Sequence, residues 1–167
     1  MLGSIQQYVR GLLDGAPLPG EVPGPLTAWV TPPVWERIPE PRAYVWGGRL
    51  RTTRQAGPRG AARKTFAWTV DIYVNWLTTP DNALAAEPFP FVVDTVIGVL
   101  SAAAMPVFID TSGNVVGVNA TSPSDTQILS IGEEMELDYP PERSVDKQRT
   151  IWYGARLAAS VTEVVTG

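Results

Sequence analysis

From Lys64 to Leu77 the chain reads KTFAWTVDIYVNWL, and Phe66, Trp68, Val70, Ile72, Val74 and Trp76 alternate strictly with Thr65, Ala67, Thr69, Asp71, Tyr73 and Asn75. A period of two places the first set on one face of a β-strand, a pattern no helix satisfies. At ~3.3 Å per residue such a run reaches about 45 Å, longer than most strands, so part of it is expected to leave the sheet body. Residues 43–51 are the expected antiparallel partner. A second alternation sets Ile151, Tyr153, Ala155, Leu157, Ala159 and Val161 against Trp152, Arg156 and Ser160. It is expected to pair with TQILSIGEEMELDYP, residues 126–140, as a wide hairpin over the polar turn PERSVD.

Around these strands the periodicity changes. In MLGSIQQYVRGLLDG the apolar residues Leu2, Ile5, Val9, Leu12 and Leu13 fall at helical spacing, which predicts a short amphipathic helix. In EPFPFVVDTVIGVLSAAAM, Phe89, Val92, Val93, Val96, Ile97 and Leu100 recur every three or four residues, with prolines only where a first turn tolerates them. This predicts a central helix over 88–104 that packs on the sheet. MPVFID and NVVGVNA flank the turn signal DTSGN and suggest a short hairpin.

Residues 15–41 carry eight prolines. Proline fixes φ and removes a donor, so the segment is expected to be an extended strap with a short edge strand near 26–30. Trp29, Val34, Trp35 and Ile38 are its expected anchors, which favours a packed arm over a proline-rich ligand for another protein. The order predicts an α+β fold: one mainly antiparallel sheet with a long basic hairpin, packed by an N-terminal helix and a central helix. With 167 residues and no internal repeat, residues 1–167 are read as a single domain. The most apolar window, residues 95–109, is too short to span a bilayer and contains Pro106, so no membrane association and a soluble, cytoplasmic chain are expected.

Charge is segregated along the chain. Residues 42–70 hold Arg42, Arg49, Arg51, Arg54, Arg59, Arg63 and Lys64 and no acid, whereas residues 71–167 hold four positive and thirteen negative charges. Most of the basic set falls in the connection over residues 49–64, and an acidic run, GEEMELDYPPE, follows at 132–142 with Glu133, Glu134, Glu136 and Asp138. These eleven residues are the candidate interaction site. A basic arm on an acidic body suits phosphate contacts or an acidic patch on a second copy of the chain. Head-to-tail complementarity of the second kind builds rings. The simpler reading is a solvated hairpin tip whose arginines keep an edge soluble. Nucleic-acid readout is disfavoured because the loop lacks interleaved stacking aromatics.

Reactive chemistry is sparse. The chain has no cysteine and no histidine, which removes the thiolate nucleophile, the commonest general base and the commonest metal ligands. WGGRL and GPRG lack the spacing of a phosphate-binding loop, and Lys64 and Lys147 stand in no Ser-Lys motif. Glu134 and Glu136 share a strand face, an ordinary solvated arrangement, and nothing in the sequence brings Asp94 to Asp110. DTSGN lacks the alternating ligands and closing glutamate of a calcium loop. No enzyme activity, cofactor or metal is expected.

The order of an amphipathic helix, a proline-rich strap, PPVWERIPEPRAYVWGG, a charged loop, KTFAWTVDIYVNWL, a helix and a terminal wide hairpin resembles the tail terminator family of long-tailed bacteriophages. The resemblance covers most of the chain through element order and texture. It implies a structural virion protein of the neck that forms a ring, with six copies, caps the tail tube and ends its polymerisation. Its implied partners are copies of itself, the tail tube protein and the head-tail connector (stopper) protein, with genomic DNA passing through the channel without sequence-specific binding. Its implied location is the tail neck, after assembly in the host cytoplasm. A head-side neck protein, adaptor or stopper, and a nucleic-acid-binding module using the basic loop are the alternatives. Adaptors are mostly helical, which this strand-rich chain is not.

Overall fold

The computed structural model describes residues 2–20, 22–34, 40–53, 63–78, 87–117, 122, 124–139, 143–144 and 151–166. Among these residues two helices, α1 (Leu2–Leu13) and α2 (Phe89–Ser101), accompany seven strands: β1 (Thr27–Trp29), β2 (Arg42–Thr53), β3 (Arg63–Thr78), β4 (Val107–Ile109), β5 (Thr126–Asp138), β6 (Arg143–Ser144) and β7 (Ile151–Thr166). All seven join one sheet in the order β1-β2-β3-β7-β5-β4, with β6 added to β7. Only β1 and β2 run parallel. The α+β class and the single, mainly antiparallel sheet agree with the sequence. The tip of the basic connection, 54–62, lies outside the described residues, so the expected long hairpin does too.

The two period-two segments form the centre. β3 and β7 pair without interruption from Arg63↔Thr166 to Thr78↔Ile151. The expectation that the long strand leaves the sheet is therefore corrected: two equally long strands satisfy one another along their whole length. The loop expected from Arg49 is also shorter, because β2 remains strand to Thr53 and β3 begins at Arg63. The second arm of the short hairpin, NVVGVNA, is reduced to an Ile109↔Val115 bridge and a hydrogen bond from the Val116 N–H to the Phe108 carbonyl at 2.9 Å. β4 takes β5 as its strand partner instead.

One face of the sheet carries Val45, Val70, Ile72, Val74, Trp76, Tyr153, Ala155, Leu157, Ala159, Val161 and Ile128, all buried. α1 lies over β1 and β2, α2 lies over β5, and the helices touch. Ile5, Val9 and Leu13, four residues apart, form the buried stripe of α1. α2 buries Phe89, Val92, Val93, Val96 and Leu100, each apolar side chain contributing about 1.5–3 kcal/mol on full burial. Phe89 fixes the start of α2 through ring contacts with Tyr153 and Tyr139, at centroid distances of 6.0 and 5.7 Å.

The strap follows the expected course but with other anchors. Ala16, Val22, Leu26 and Ala28 are buried, whereas Trp29 and Val34 are 47% and 43% exposed. Trp35 and Ile38 lie outside the described residues. Pro33 reaches the opposite sheet face and lines a pocket of about 220 Å³ with Tyr73, Asn75, Trp152 and Arg156. Tyr44, Asn75 and Trp152 are accordingly buried on that face. Among the described residues no helix is long and apolar enough to cross a membrane.

The turn after β4 supports α1 from below. The Asp110 carboxylate accepts the N–H groups of Ser112 and Asn114 at 2.8 and 2.9 Å, and the Asn114 amide at 3.1 Å. These bonds, those to Asn114 foremost, hold its pKa below the ordinary carboxylate value. DTSGN is thus a turn closed by its own aspartate. Gly113, at φ +82°, lies against the backbone of Ser4 and Tyr8, and an added Cβ would stand 2.6 Å from each. Gly113→Ala should destabilise the fold by about 2 kcal/mol or more through positive-φ strain and overpacking. Denaturant titration checks this, and an unchanged midpoint would show that α1 does not rest on the turn.

Candidate functional site

The register sorts the expected interaction residues by face. On the side away from the helices, Arg49 stands opposite Thr69, Thr69 opposite Ser160, and Arg51 opposite Ala67. On the far side of β7, Glu136 stands opposite Ala158 and Asp138 opposite Arg156. Glu134 donates its backbone N–H to the Ser160 hydroxyl at 2.9 Å. Arg49 and Arg51 are exposed on β2, and Glu133, Glu134, Glu136 and Asp138 are exposed on β5. Between these strands lie β3 and β7, so three strand spacings, roughly 14 Å, separate the positive row from the negative one. The floor is built of small side chains, and Thr69, Glu134, Met135, Glu136, Ala158 and Ser160 line a shallow hollow of about 310 Å³.

The other candidates are placed differently. Arg42 begins β2 opposite Asn75, at the strap-covered end, roughly 20 Å along the strand from Arg49. Arg63 and Lys64 pair through their backbones with Thr166 and Val165. Arg54 and Arg59 lie outside the described residues, as do the side chains of Arg63 and Lys64. The basic set is therefore not one loop: Arg49 and Arg51 belong to a strand. Asp94 is exposed on α2 and Asp110 is engaged in its turn. Among the described residues no three carboxylates converge on a point.

The strands at the two borders of the sheet differ from one another in how their outward backbone groups are met. On β1, the Ala28 N–H donates to Asp14 Oδ1 at 3.0 Å, and Arg10 Nε donates to the Ala28 carbonyl at 3.3 Å. Arg10 and Asp14 are themselves paired at 2.8 Å, so a small ion-pair cap closes this strand. At the β2 bulge, Gln6 Nε2 donates to the Gly47 carbonyl at 3.1 Å. On β4 the turn at 110–116 folds back over the strand. By contrast, β1 covers β2 only at Arg42, Ala43 and Tyr44, and β4 covers β5 only at Thr126, Gln127 and Ile128. Among the described residues, 48–53 of β2 and 129–138 of β5 are strand-paired on one side alone.

Two polar groups invisible to sequence reasoning hold the centre of the sheet. Asp71, 8% exposed, accepts a hydrogen bond from Arg156 Nη2 at 2.7 Å on the outer face. Burial works against the Arg156 charge, but the hydrogen bond and charge of Asp71 more than offset it and raise the guanidinium pKa. Glu163 is fully buried on the helix side, opposite Phe66 and Ile128. Trp68 Nε1 donates to its Oε2 at 2.6 Å and Thr126 Oγ1 to its Oε1 at 3.2 Å. This carboxylate ties β3, β7 and β5 together. In sequence it is one acid within an apolar alternation, with its partners 95 and 37 residues away.

Compared with known protein families and with curated proteins, the chain matches none.

Glu163→Leu should strand the Trp68 and Thr126 donors and cost roughly 2–4 kcal/mol, since each buried unsatisfied group costs about 1–3. Glu163→Gln, which keeps an acceptor, should cost less than half as much. Equal losses on thermal unfolding would show that the hydrogen bonds contribute little.

Proposed function

We propose that the protein is a structural component of a bacteriophage neck, a tail terminator that assembles head to tail into a ring, caps the tail tube and joins it to the head connector. One observation carries the reading: Arg49 and Arg51 stand at one border of a single sheet, and Glu134, Glu136 and Asp138 stand at the other. Joined edge to edge across a twofold axis, either border would meet its own like charges. One border meets the opposite charge of the other border in a translated or rotated copy, and rotation about one axis closes a ring. The element order set out in the sequence supplies the phage context, and the dominance of long strands favours a terminator over a mostly helical adaptor.

In this ring the sheet and α2 form the body, and the connection between β2 and β3 reaches the neighbouring subunit or the adjacent ring. Electrostatic complementarity of this type sets partner choice and encounter rate more than total affinity. Assembly is accordingly sensitive to ionic strength.

Electron microscopy of the purified protein should show closed rings of cyclic symmetry, and antibody labelling should place the protein at the head-tail junction of virions. Replacing Arg49, Arg51, Arg54, Arg59 and Arg63 together with Gln should abolish joining of heads to tails while circular dichroism stays native. Infectious particles of normal yield from that variant would remove the basic set from the function.

A further inference from the structure

Among the described residues, two strand segments have a strand partner on one side only, while the neighbouring strands are closed. Arg10 and Asp14 cap β1, Gln6 meets the β2 bulge, and the 110–116 turn folds over β4. An uncovered strand presents a row of backbone donors and acceptors, a ready template for another strand. Charged side chains commonly guard such edges, but protection does not require one sign per edge. Here residues 48–53 carry two arginines and no acid, and residues 129–138 carry four acids and no base.

We infer that these edges pair with each other between copies, β5 of one subunit hydrogen-bonding to β2 of the next, so that the sheet continues from subunit to subunit. This deepens the head-to-tail reading above and rests on it. The occupant of each edge is a second copy of this chain.

Direction supports the pairing. β2, β3, β7 and β5 alternate in direction, each antiparallel to the next. Four alternating strands are an even number, so rotating a copy about a ring axis brings its β2 antiparallel to the exposed β5 of its neighbour. The new pair thus has the same geometry as every long pair already in the sheet.

Side chains select a register. In an antiparallel pair the numbers of opposed residues have a constant sum. Setting Leu50 opposite Leu137 also sets Arg49 opposite Asp138 and Arg51 opposite Glu136. Leu50 and Leu137 are 42% and 45% exposed and lie on the helix side of the sheet, opposite Trp68 and Leu157 within their own subunit. The arginines and acids lie on the other side. One register therefore pairs two exposed leucines below the sheet and two pairs of opposite charges above it. Met135 to Asp138 is regular strand beyond the β5 bulge, and Gly48 to Thr53 is regular strand beyond the β2 bulge, so both partners are straight where they meet.

The natural chain contains no cysteine, which makes directed cross-linking clean. Residues opposed across an antiparallel pair have Cα atoms about 4.5–5.5 Å apart, within the range a disulfide accepts. A chain carrying both Leu50→Cys and Leu137→Cys should oxidise to covalent multimers, whereas Leu50→Cys with Leu129→Cys, on the same edge but eight residues away, should not. Separately, Arg49→Glu with Arg51→Glu should weaken self-association by at least roughly 100-fold, because like charges then meet across the interface. Adding Glu136→Arg and Asp138→Arg to that same chain should restore it, since both edges are then reversed; a merely misfolded variant would not recover. If wild-type rings form but the Leu50/Leu137 cysteines stay reduced under oxidant, or the fourfold reversal fails to restore assembly, the edge pairing is wrong and head-to-tail association stands by another surface. If the wild-type chain is monomeric at every concentration in sedimentation, both readings fall.

Discussion

A strand paired on one side leaves half of its backbone hydrogen-bonding groups facing outward, and the rest of this structure is arranged around that obligation. At the centre it is met completely: β3 and β7 exchange bonds over sixteen residue pairs and each takes a further strand on its other side. At the borders it is met unevenly. Short strands receive side-chain caps or a folded turn, and the long stretches past Tyr44 and Ile128 receive neither among the described residues. The segments that remain are those on which the chain has concentrated arginine on one border and carboxylate on the other.

Buried polar groups tie the long strands of the sheet to one another. Asp71 with Arg156 joins β3 to β7 on one face, and Glu163 with Trp68 and Thr126 joins β3, β7 and β5 on the other. Removing one partner of a buried polar set costs more than the set contributes in net stability, so these contacts penalise slipped registers as much as they stabilise the correct one. Register matters here because a shift of one residue would exchange the faces on which Arg49, Arg51, Glu136 and Asp138 stand.

Much of this was legible in the sequence where a period was long and unbroken. The alternations at 64–77 and 151–161 mark the two central strands, though not their pairing with each other, and the spacing of Ile5, Val9 and Leu13 and of Phe89, Val92, Val96 and Leu100 marks the two helices. Segregation of charge was visible as well, but not its geometry. Gly47 and Gly48 fall inside the strand expected over 43–51, but nothing marks the bulge they form, after which β2 continues with Arg49, Leu50 and Arg51 as strand. Trp29 and Val34 were expected to anchor the strap because they are large and apolar, whereas Ala16, Val22, Leu26 and Ala28 are the buried ones, a choice set by position along the strap that no local pattern marks. The partners of Asp71 and Glu163 lie across the long-range registers of β3 with β7 and of β5 with β7, which no local pattern encodes.

Hydrogen-deuterium exchange across a dilution series measures the central claim at the level of individual backbone amides. Assembly should slow exchange in residues 48–53 and 135–138 together, and leave Ala28, already capped by Asp14, unchanged. Protection appearing elsewhere, with both open strands exchanging at the same rate in the smallest and largest species, would contradict it.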